Sequence, residues 1–140
     1  MMMMMKTKFY DTCSLIANAQ YLFEKEDEQF VISSITLEEL EEIKTSKNKS
    51  NDIKIAVRHL LHELDKHIGD YEVCIFKESM LCPIHEENLS INNDMKILAT
   101  AIFYNTNIYP NLTFITNDLA LKTIARLFFD DIQIESIEEK

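Results

Sequence analysis

Short apolar runs of strand type alternate with stretches of helical periodicity along this chain, and that alternation limits the accessible folds more than any other feature. Runs rich in β-branched and aromatic residues predict strands at residues 8–10, 29–34, 72–76, 112–116 and 132–137. Helical periodicity predicts helices at residues 13–24, 36–44, 53–69, 94–104 and 118–128. Strands that alternate with helices require right-handed crossover connections. The sequence therefore predicts an α/β fold in three layers, with a mainly parallel sheet of about five strands covered by helices on both faces.

Local signals place the ends of two helices. Thr36 and Glu39 have the spacing of a capping box, which predicts the start of the second helix. A polar link, TSKNKSND at residues 45–52, separates this helix from the third. The third helix is expected to end at Gly69, because glycine readily adopts the left-handed conformation of a C-cap.

The chain is acidic, which limits how it could contact nucleic acid. It has 24 Asp and Glu against 14 Lys and Arg, a formal charge of −10, which argues against binding through bulk positive charge, so any contact must be local or metal-mediated. The one glycine, Gly69, excludes glycine-rich phosphate loops and a nucleotide cofactor bound by them. No repeat or linker interrupts the pattern, so we expect a single domain over residues 1–140, with residues 1–6 frayed.

Cysteines and hydropathy indicate a cytoplasmic protein. Cys13, Cys74 and Cys82 are odd in number, form no C-x-x-C pair and lie in or beside apolar runs, so buried thiols in a reducing cytosol are expected. The opening MMMMMK is too short for a secretory signal core. No apolar run approaches the roughly 18 residues of a membrane span, so no membrane contact is expected.

Carboxylates follow two of the predicted strands. Asp11 ends the first strand and Asp118 follows the fourth, and the carboxyl ends of parallel strands form the ligand-binding edge of such sheets. Asp94 precedes Ile97 and Leu98 by three and four positions, so it lies along the buried face of its helix. Acids also cap helix starts, and this structural role remains an alternative for each of them.

The second helix supplies a fourth candidate acid. Its apolar stripe leaves Glu38 and Glu42 nearly opposite, and therefore exposed, while Glu39 and Glu41 lie at the margins of the stripe. Glu39 lies in the first turn and closer to the strand end, so it is the better candidate.

Four carboxylates at one sheet edge would repel each other strongly unless cations are bound between them. The hard divalent ions Mg²⁺ and Mn²⁺ take carboxylate oxygens and retain several waters. One or two such ions can activate a water and stabilise the leaving oxygen of a phosphodiester, which predicts hydrolysis of nucleic acid. Thr12, Thr116 and Asn117 flank the acids and could orient carboxylates or water, with helix capping as their alternative role.

Three further groups have both functional and structural interpretations. One basic cluster could hold the phosphates of a strand running toward the acids, or could be a solvated loop. Its members are Lys44, Lys47, Lys49, Lys54 and Arg58. The histidines at positions 59, 62 and 67 do not complete an H-E-x-x-H zinc motif and are expected on a solvated helix face. A last apolar group could form a homodimer interface, but core packing is the expected role; its members are Ile124, Leu127, Phe128 and Phe129.

Four short pieces, in this order, resemble the PIN domain family of metal-dependent nucleases. They are FYDTCSLI around Asp11, ISSITLEELEEIK around Glu39, NNDMKILATA around Asp94 and FITNDLALKTIA around Asp118. The resemblance implies a Rossmann-like sheet with adjacent first and fourth strands, these four acids as catalytic residues, and ribonuclease cleavage that leaves a 5′-phosphate. Within the family, LEELEEIK and NDIKIAVRHLLHEL look most like the amino-terminal PIN domain of PhoH-type proteins.

The main hypothesis is therefore a Mg²⁺- or Mn²⁺-dependent nuclease that acts on RNA, single-stranded RNA included. A catalytically silent module that binds nucleic acid or protein is one alternative. The toxin of a toxin–antitoxin pair is another, and it implies a protein antitoxin as partner.

Overall fold

The computed structural model describes residues 6–24, 27–129 and 134–135. Its strands are β1 (Lys6–Tyr10), β2 (Glu28–Ser33), β3 (Glu72–Cys74), β4 (Thr113–Ile115) and β5 (Ile134–Glu135). Its α-helices are α1 (Thr12–Ala17), α2 (Ser34–Thr45), α3 (Asn51–Lys66), α4 (Cys82–Glu86), α5 (Asn93–Asn107) and α6 (Leu119–Ala125). Short 3₁₀ turns are formed by Ala19–Tyr21 and Glu78–Leu81.

The strands form one sheet in the order β3-β2-β1-β4-β5, and each pairing is parallel. This confirms the predicted α/β fold with a mainly parallel sheet, and it confirms that the first and fourth strands are neighbours. β1 and β4 are in register at Tyr10 and Ile115. The residues that follow them, Asp11 and Thr116, therefore come side by side at the carboxyl edge of the sheet.

Helices cover both faces of the sheet because successive strand residues point in opposite directions. Phe9 belongs to the core formed with α4, α5 and α6, whereas its neighbour Tyr10 belongs to the core formed with α1, α2 and α3. Burial of apolar surface on both faces, at about 25 cal/mol per Å², is the main stabilising contribution. The two helix layers therefore fix the positions of the strand ends relative to one another.

Two predicted helix ends in the middle of the chain are wrong. The cap of α2 is Ser33 rather than Thr36, because the Ser33 hydroxyl accepts a hydrogen bond from the Ile35 amide at 3.1 Å and Thr36 is buried inside the helix. α3 ends at Lys66, before the predicted Gly69. The glycine does have a positive φ of 96°, but it lies in the turn that follows the helix.

The first and last predicted helices are shorter than their periodicity indicates. α1 stops where the side-chain amide of Asn18 donates to the Ser14 carbonyl at 2.8 Å. α6 stops at Ala125, because the amides of Leu127 and Phe128 bond to carbonyls three residues earlier at 3.0 Å, which tightens the last turn.

The environment of the cysteines also differs from the prediction. Cys74 is buried, but Cys13 and Cys82 are exposed, because each lies at the start of a short helix at the protein surface. Of the last apolar residues, Phe129 is buried and stacks on Phe114 with 5.8 Å between ring centroids, as expected for core packing, whereas Leu127 is 60% exposed and the prediction is wrong for it. The homodimer stays a prediction.

Two predictions fall partly beyond the described residues. Residues 1–5 of the segment expected to be frayed lie outside them, while Lys6 already pairs with Glu28 of β2. Of the predicted fifth strand, only residues 134–135 are described. Within the described ranges, no helix combines the length and the apolar character needed to cross a membrane.

Candidate active site

The carboxyl ends of β1 and β4 open into a cleft of about 650 Å³, and the four acids predicted from the sequence all line it. The acids come from four separate elements: the ends of β1 and β4, the middle of α2 and the first turn of α5. The lining residues are Asp11, Thr12, Cys13, Glu39, Glu42, Ile43, Ser46, Lys49, Asp94, Asn117 and Asp118. We refer to this feature as the acid cleft.

Asp11 is the most deeply buried of the four acids, with 5% of its surface exposed. It caps α1, since its Oδ1 accepts a hydrogen bond from the Ser14 amide at 2.9 Å. Its Oδ2 accepts a hydrogen bond from the Thr116 hydroxyl at 2.5 Å. Asp11 is therefore a helix cap, and Thr116 at the end of β4 orients its second oxygen.

Asp118 caps α6 in the same way. Its Oδ1 accepts hydrogen bonds from the amides of Ala120 and Leu121 at 2.9 and 3.1 Å, and its own amide donates to the Thr116 hydroxyl at 3.1 Å. Thr116 thus links the acid of β1 to the acid of β4. The Oδ2 of Asp118 makes no hydrogen bond to any described residue, so it remains available to a ligand.

Glu39 lies in the first half of α2 and is partly buried. Its Oε1 accepts a hydrogen bond from the Thr12 hydroxyl at 2.5 Å, and its Oε2 accepts one from the Asn93 side chain at 3.5 Å. Thr12 also contacts the Thr36 hydroxyl at 3.2 Å. These contacts fix Glu39 between α1 and α5, whereas Glu38 points to solvent.

Asp94 lies in the first turn of α5, but Asn92 is the cap of that helix, since its side chain accepts from the Met95 amide at 2.9 Å. The Asp94 carboxylate makes no hydrogen bond or ion pair with any residue the structure describes. Its pKa is raised first by burial and then by the charges of Glu39, Asp118 and Asp11. The four carboxylates therefore lie within electrostatic reach of one another.

The pKa of Cys13 is affected by the same four negative charges. The thiol lines the acid cleft, and its pKa is raised by burial and then by the charges of all four acids, Asp11 first. A raised pKa keeps the thiol protonated and weakly nucleophilic at neutral pH. The four carboxylates are thus the groups that dominate the chemistry of the cleft.

The arrangement is not a closed metal cage. Among the described residues, no three His, Cys, Asp or Glu side chains meet in metal-binding geometry, and this holds for the histidines of α3 as well. Mg²⁺ dehydrates reluctantly, and proteins usually hold it through one or two carboxylates while it keeps several waters. The free oxygens of Asp94 and Asp118, beside two oriented carboxylates, fit an ion bound in that way.

The predicted basic cluster is divided between two surfaces. Lys49 lines the acid cleft. Lys44 instead pairs with Glu41 at 2.9 Å, and together with Arg58 it lines a separate groove of about 260 Å³ on α2 and α3. Lys47 and Lys54, the other members of the cluster, line neither feature. The five residues therefore do not share one surface feature, and their role in binding phosphates stays a prediction.

The sequence analysis missed one wall of the acid cleft. Glu42 was expected to be exposed and without a role; it is exposed, but it lines the cleft together with Ile43 and Ser46. These residues follow Glu39 by three, four and seven positions and share its helical face. Helical spacing counted from Glu39, rather than from the apolar stripe, would have found them.

The sequence profile of the PIN domain family matches residues 9–137. No curated protein sequence matches the chain significantly. Among solved structures, VapBC-5, a member of the VapBC family of toxin–antitoxin systems from Mycobacterium tuberculosis, is similar with a TM-score of 0.53 and 21% identity, over 95% of this chain and 98% of that one. VapBC2 from Rickettsia felis, solved with a DNA fragment from their promoter, is similar with a TM-score of 0.51 and 20% identity, over 94% and 99%.

This chain belongs to the PIN domain family, because the family profile covers nearly its whole length. Members of this family are generally nucleases, and such nucleases generally use divalent metal ions. At 20 to 21% identity, the likeness to the two VapBC structures supports the fold. The finer comparison with PhoH-type proteins stays a prediction.

Proposed function

We propose that this chain is a ribonuclease that depends on Mg²⁺ or Mn²⁺, with Asp11, Glu39, Asp94 and Asp118 as its metal-binding and catalytic acids. The observation that supports this proposal is the meeting of four acids from separate elements in one cleft of a PIN-type sheet. One or two bound ions would supply the positive charge that activates an attacking water and stabilises the leaving oxygen.

The side chains divide this task according to their contacts. Asp94 and the Oδ2 of Asp118 have no hydrogen-bond partner among the described residues, so they are the groups free to hold an ion or its waters. Asp11 and Glu39 are oriented by the hydroxyls of Thr116 and Thr12, so they present fixed acceptors to those waters.

Lys49 is the one Lys or Arg among the described residues that line the acid cleft. Its exposed ammonium group is positioned to bind a phosphate that approaches the acids. Asn117, which also lines the cleft, offers an amide that can bind a phosphate oxygen or a water.

The decisive assay is cleavage of a labelled single-stranded RNA with Mg²⁺, with Mn²⁺ and with EDTA. We expect cleavage that requires the metal and falls at least about 100-fold in Asp94→Asn and Asp118→Asn, because each variant removes a carboxylate but keeps its shape. Asp65→Asn, an exposed acid far along α3, is the matched control and should cleave normally. Binding without cleavage, unchanged in both variants, would instead indicate a silent binding module.

A second candidate function is that of a toxin held inactive by a protein antitoxin. Its support is the fold likeness to two VapBC structures along nearly the full length of both chains. Expression should then arrest growth, the product of a neighbouring gene should relieve the arrest, and Asp118→Asn should abolish it. Normal growth on expression of a protein that cleaves RNA in vitro would exclude the toxin role while leaving the ribonuclease intact.

A further inference from the structure

Lys96 carries a charge that is held in place but not neutralised. Its Nζ lies 5.7 Å from the centroid of the Phe76 ring, a cation–π contact. No carboxylate of a described residue lies within ion-pair distance of it. Lys8, by contrast, is paired with Glu28 at 2.8 Å. In a chain with a net charge of −10, a lysine left without an acidic partner retains its full capacity to bind an anion.

Phe76 is anchored at the same edge of the sheet as the acid cleft. Cys74, the last residue of β3, pairs with Ser33 of β2, so the chain leaves both strands together. The Phe76 amide then donates to the Ser34 hydroxyl at 2.9 Å, and the ring packs against the core beneath α5. The ring therefore fixes the position of the Lys96 ammonium group.

The position of Lys96 on α5 relates it to the acids. Lys96 follows Asn93 by one turn of α5, and the Asn93 amide donates to Glu39 of the cleft at 3.5 Å. Lys49 lies beyond the other end of α2, a helix of 12 residues. At 1.5 Å per residue this helix is about 18 Å long. The two lysines thus flank the acids from opposite ends of α2.

We propose, on the basis of the ribonuclease function above, that Lys96 is a phosphate-binding residue for single-stranded RNA and that Phe76 is its positioning residue. A strand held at Lys49 crosses the acids and places a further phosphate on Lys96. Contacts on both sides of the acids fix which phosphate lies over them. Two separated cations suit a flexible single strand, whereas a duplex would need a broader positive surface than this acidic chain offers.

The test is the salt dependence of RNA binding, measured by fluorescence polarisation in the Asp118→Asn background with Mg²⁺. The probe is a fluorescein-labelled oligouridylate of about 12 nucleotides. Each ionic contact with a single strand contributes about 0.7 to the slope of log K against log salt concentration. Adding Lys96→Gln should lower both the affinity and the magnitude of that slope by one such contact.

Matched variants separate binding from folding. Lys66→Gln removes the same charge at the carboxyl end of α3, outside the acid cleft. It should leave the slope and affinity unchanged. Phe76→Leu keeps an apolar side chain but removes the ring, so affinity should fall while the charge remains, and Phe76→Tyr should restore it. Thermal melting checks that each variant is folded.

The outcomes distinguish this inference from the function it rests on. An unchanged slope in a folded Lys96→Gln variant overturns the inference, and the ribonuclease proposal survives if cleavage by the unmodified chain still requires Asp94 and Asp118. Absence of both binding and cleavage overturns the two together. Equal dependence on Lys96 for a duplex RNA of the same length would overturn the preference for a single strand.

Discussion

Charged side chains of the described residues are paired at one end of the central strands and unpaired at the other. Toward the amino-terminal ends of β1 and β2, Lys8 pairs with Glu28 while their side chains are only 12% and 18% exposed, and Gln29 donates to Thr7 at 2.7 Å. At the carboxyl ends, four carboxylates line one cleft, and none of them forms an ion pair with a described Lys, Arg or His.

Under the proposed function, this difference separates charges that stabilise the fold from charges that bind a ligand. A partly buried charge is normally tolerated only with a partner of opposite sign. The amino-terminal ends of β1 and β2 satisfy that condition within the chain. The acid cleft has no such partner for Asp11, Glu39 or Asp94 among the described residues, and under the proposed function a bound cation would supply it.

Thr116→Val should have the largest effect on the free energy of unfolding, because the buried Thr116 hydroxyl contacts two of the acids. The variant leaves the buried Asp11 oxygen without its donor and the Asp118 amide without its acceptor. We expect a loss of about 2 kcal/mol in the free energy of unfolding. We also expect cleavage to fall roughly tenfold or more.

Thr100→Val is the matched control for this change. Thr100 is equally buried, but its hydroxyl donates only to the Ile97 carbonyl within α5, at 2.6 Å. Denaturant unfolding and RNA cleavage should be measured for both variants. Full activity in Thr116→Val would show that the link between the two acids has no role in catalysis.

Glu28→Gln should affect stability but not activity. It leaves the Lys8 ammonium group partly buried without its ion-pair partner. We expect the free energy of unfolding to fall by about 1 to 2 kcal/mol, between the values for exposed and buried pairs. Urea denaturation measures this effect, and Glu38→Gln on the exposed face of α2 should show none. A large loss of cleavage in Glu28→Gln would break the contrast between the two ends.

Asp94→Asn should have the smallest effect on stability, and one of opposite sign. Folding raises the pKa of this carboxyl, so its ionised form is disfavoured in the folded state and costs stability above that pKa. Removing the charge should raise the Tm of the metal-free protein at neutral pH by about 2 °C. The gain should shrink as the pH falls through the pKa of Asp94 in the folded protein, and it should vanish below the ordinary pKa of the unfolded chain. A lower Tm at neutral pH would contradict the account.

The sequence predicts which acids meet in the cleft better than it predicts the surroundings of the cleft. Asp11 and Asp118 could be found because each follows a strand whose apolar run is unmistakable, and parallel strands bring their carboxyl ends together. The α2 cap at Ser33 was missed because the strand run and the helix overlap there, and Thr36 offered an equally good local signal. A tertiary contact distinguishes the two residues, since the buried Thr36 hydroxyl contacts Thr12 of α1 and Ser33 caps the helix.

Side-chain contacts, both between distant segments and within one helix, account for the remaining differences. Lys96 drew no attention in the sequence, because its position on the Phe76 ring depends on how α5 lies against the end of β3. Lys44 looked like a member of a phosphate-binding cluster, but Glu41, one helical turn earlier, pairs with it. A run of charged residues in the sequence predicts that a surface is charged. It does not predict which of those charges remain available to a ligand.

Titration of the metal-free protein with Mn²⁺, followed by calorimetry, tests the central claim most directly. The account predicts binding to the unmodified chain and to Asp65→Asn, and strongly weakened binding to the Asp94→Asn/Asp118→Asn double variant. Equal Mn²⁺ binding by all three folded proteins, or none by the unmodified chain at millimolar concentration, would contradict a cation site built from these acids.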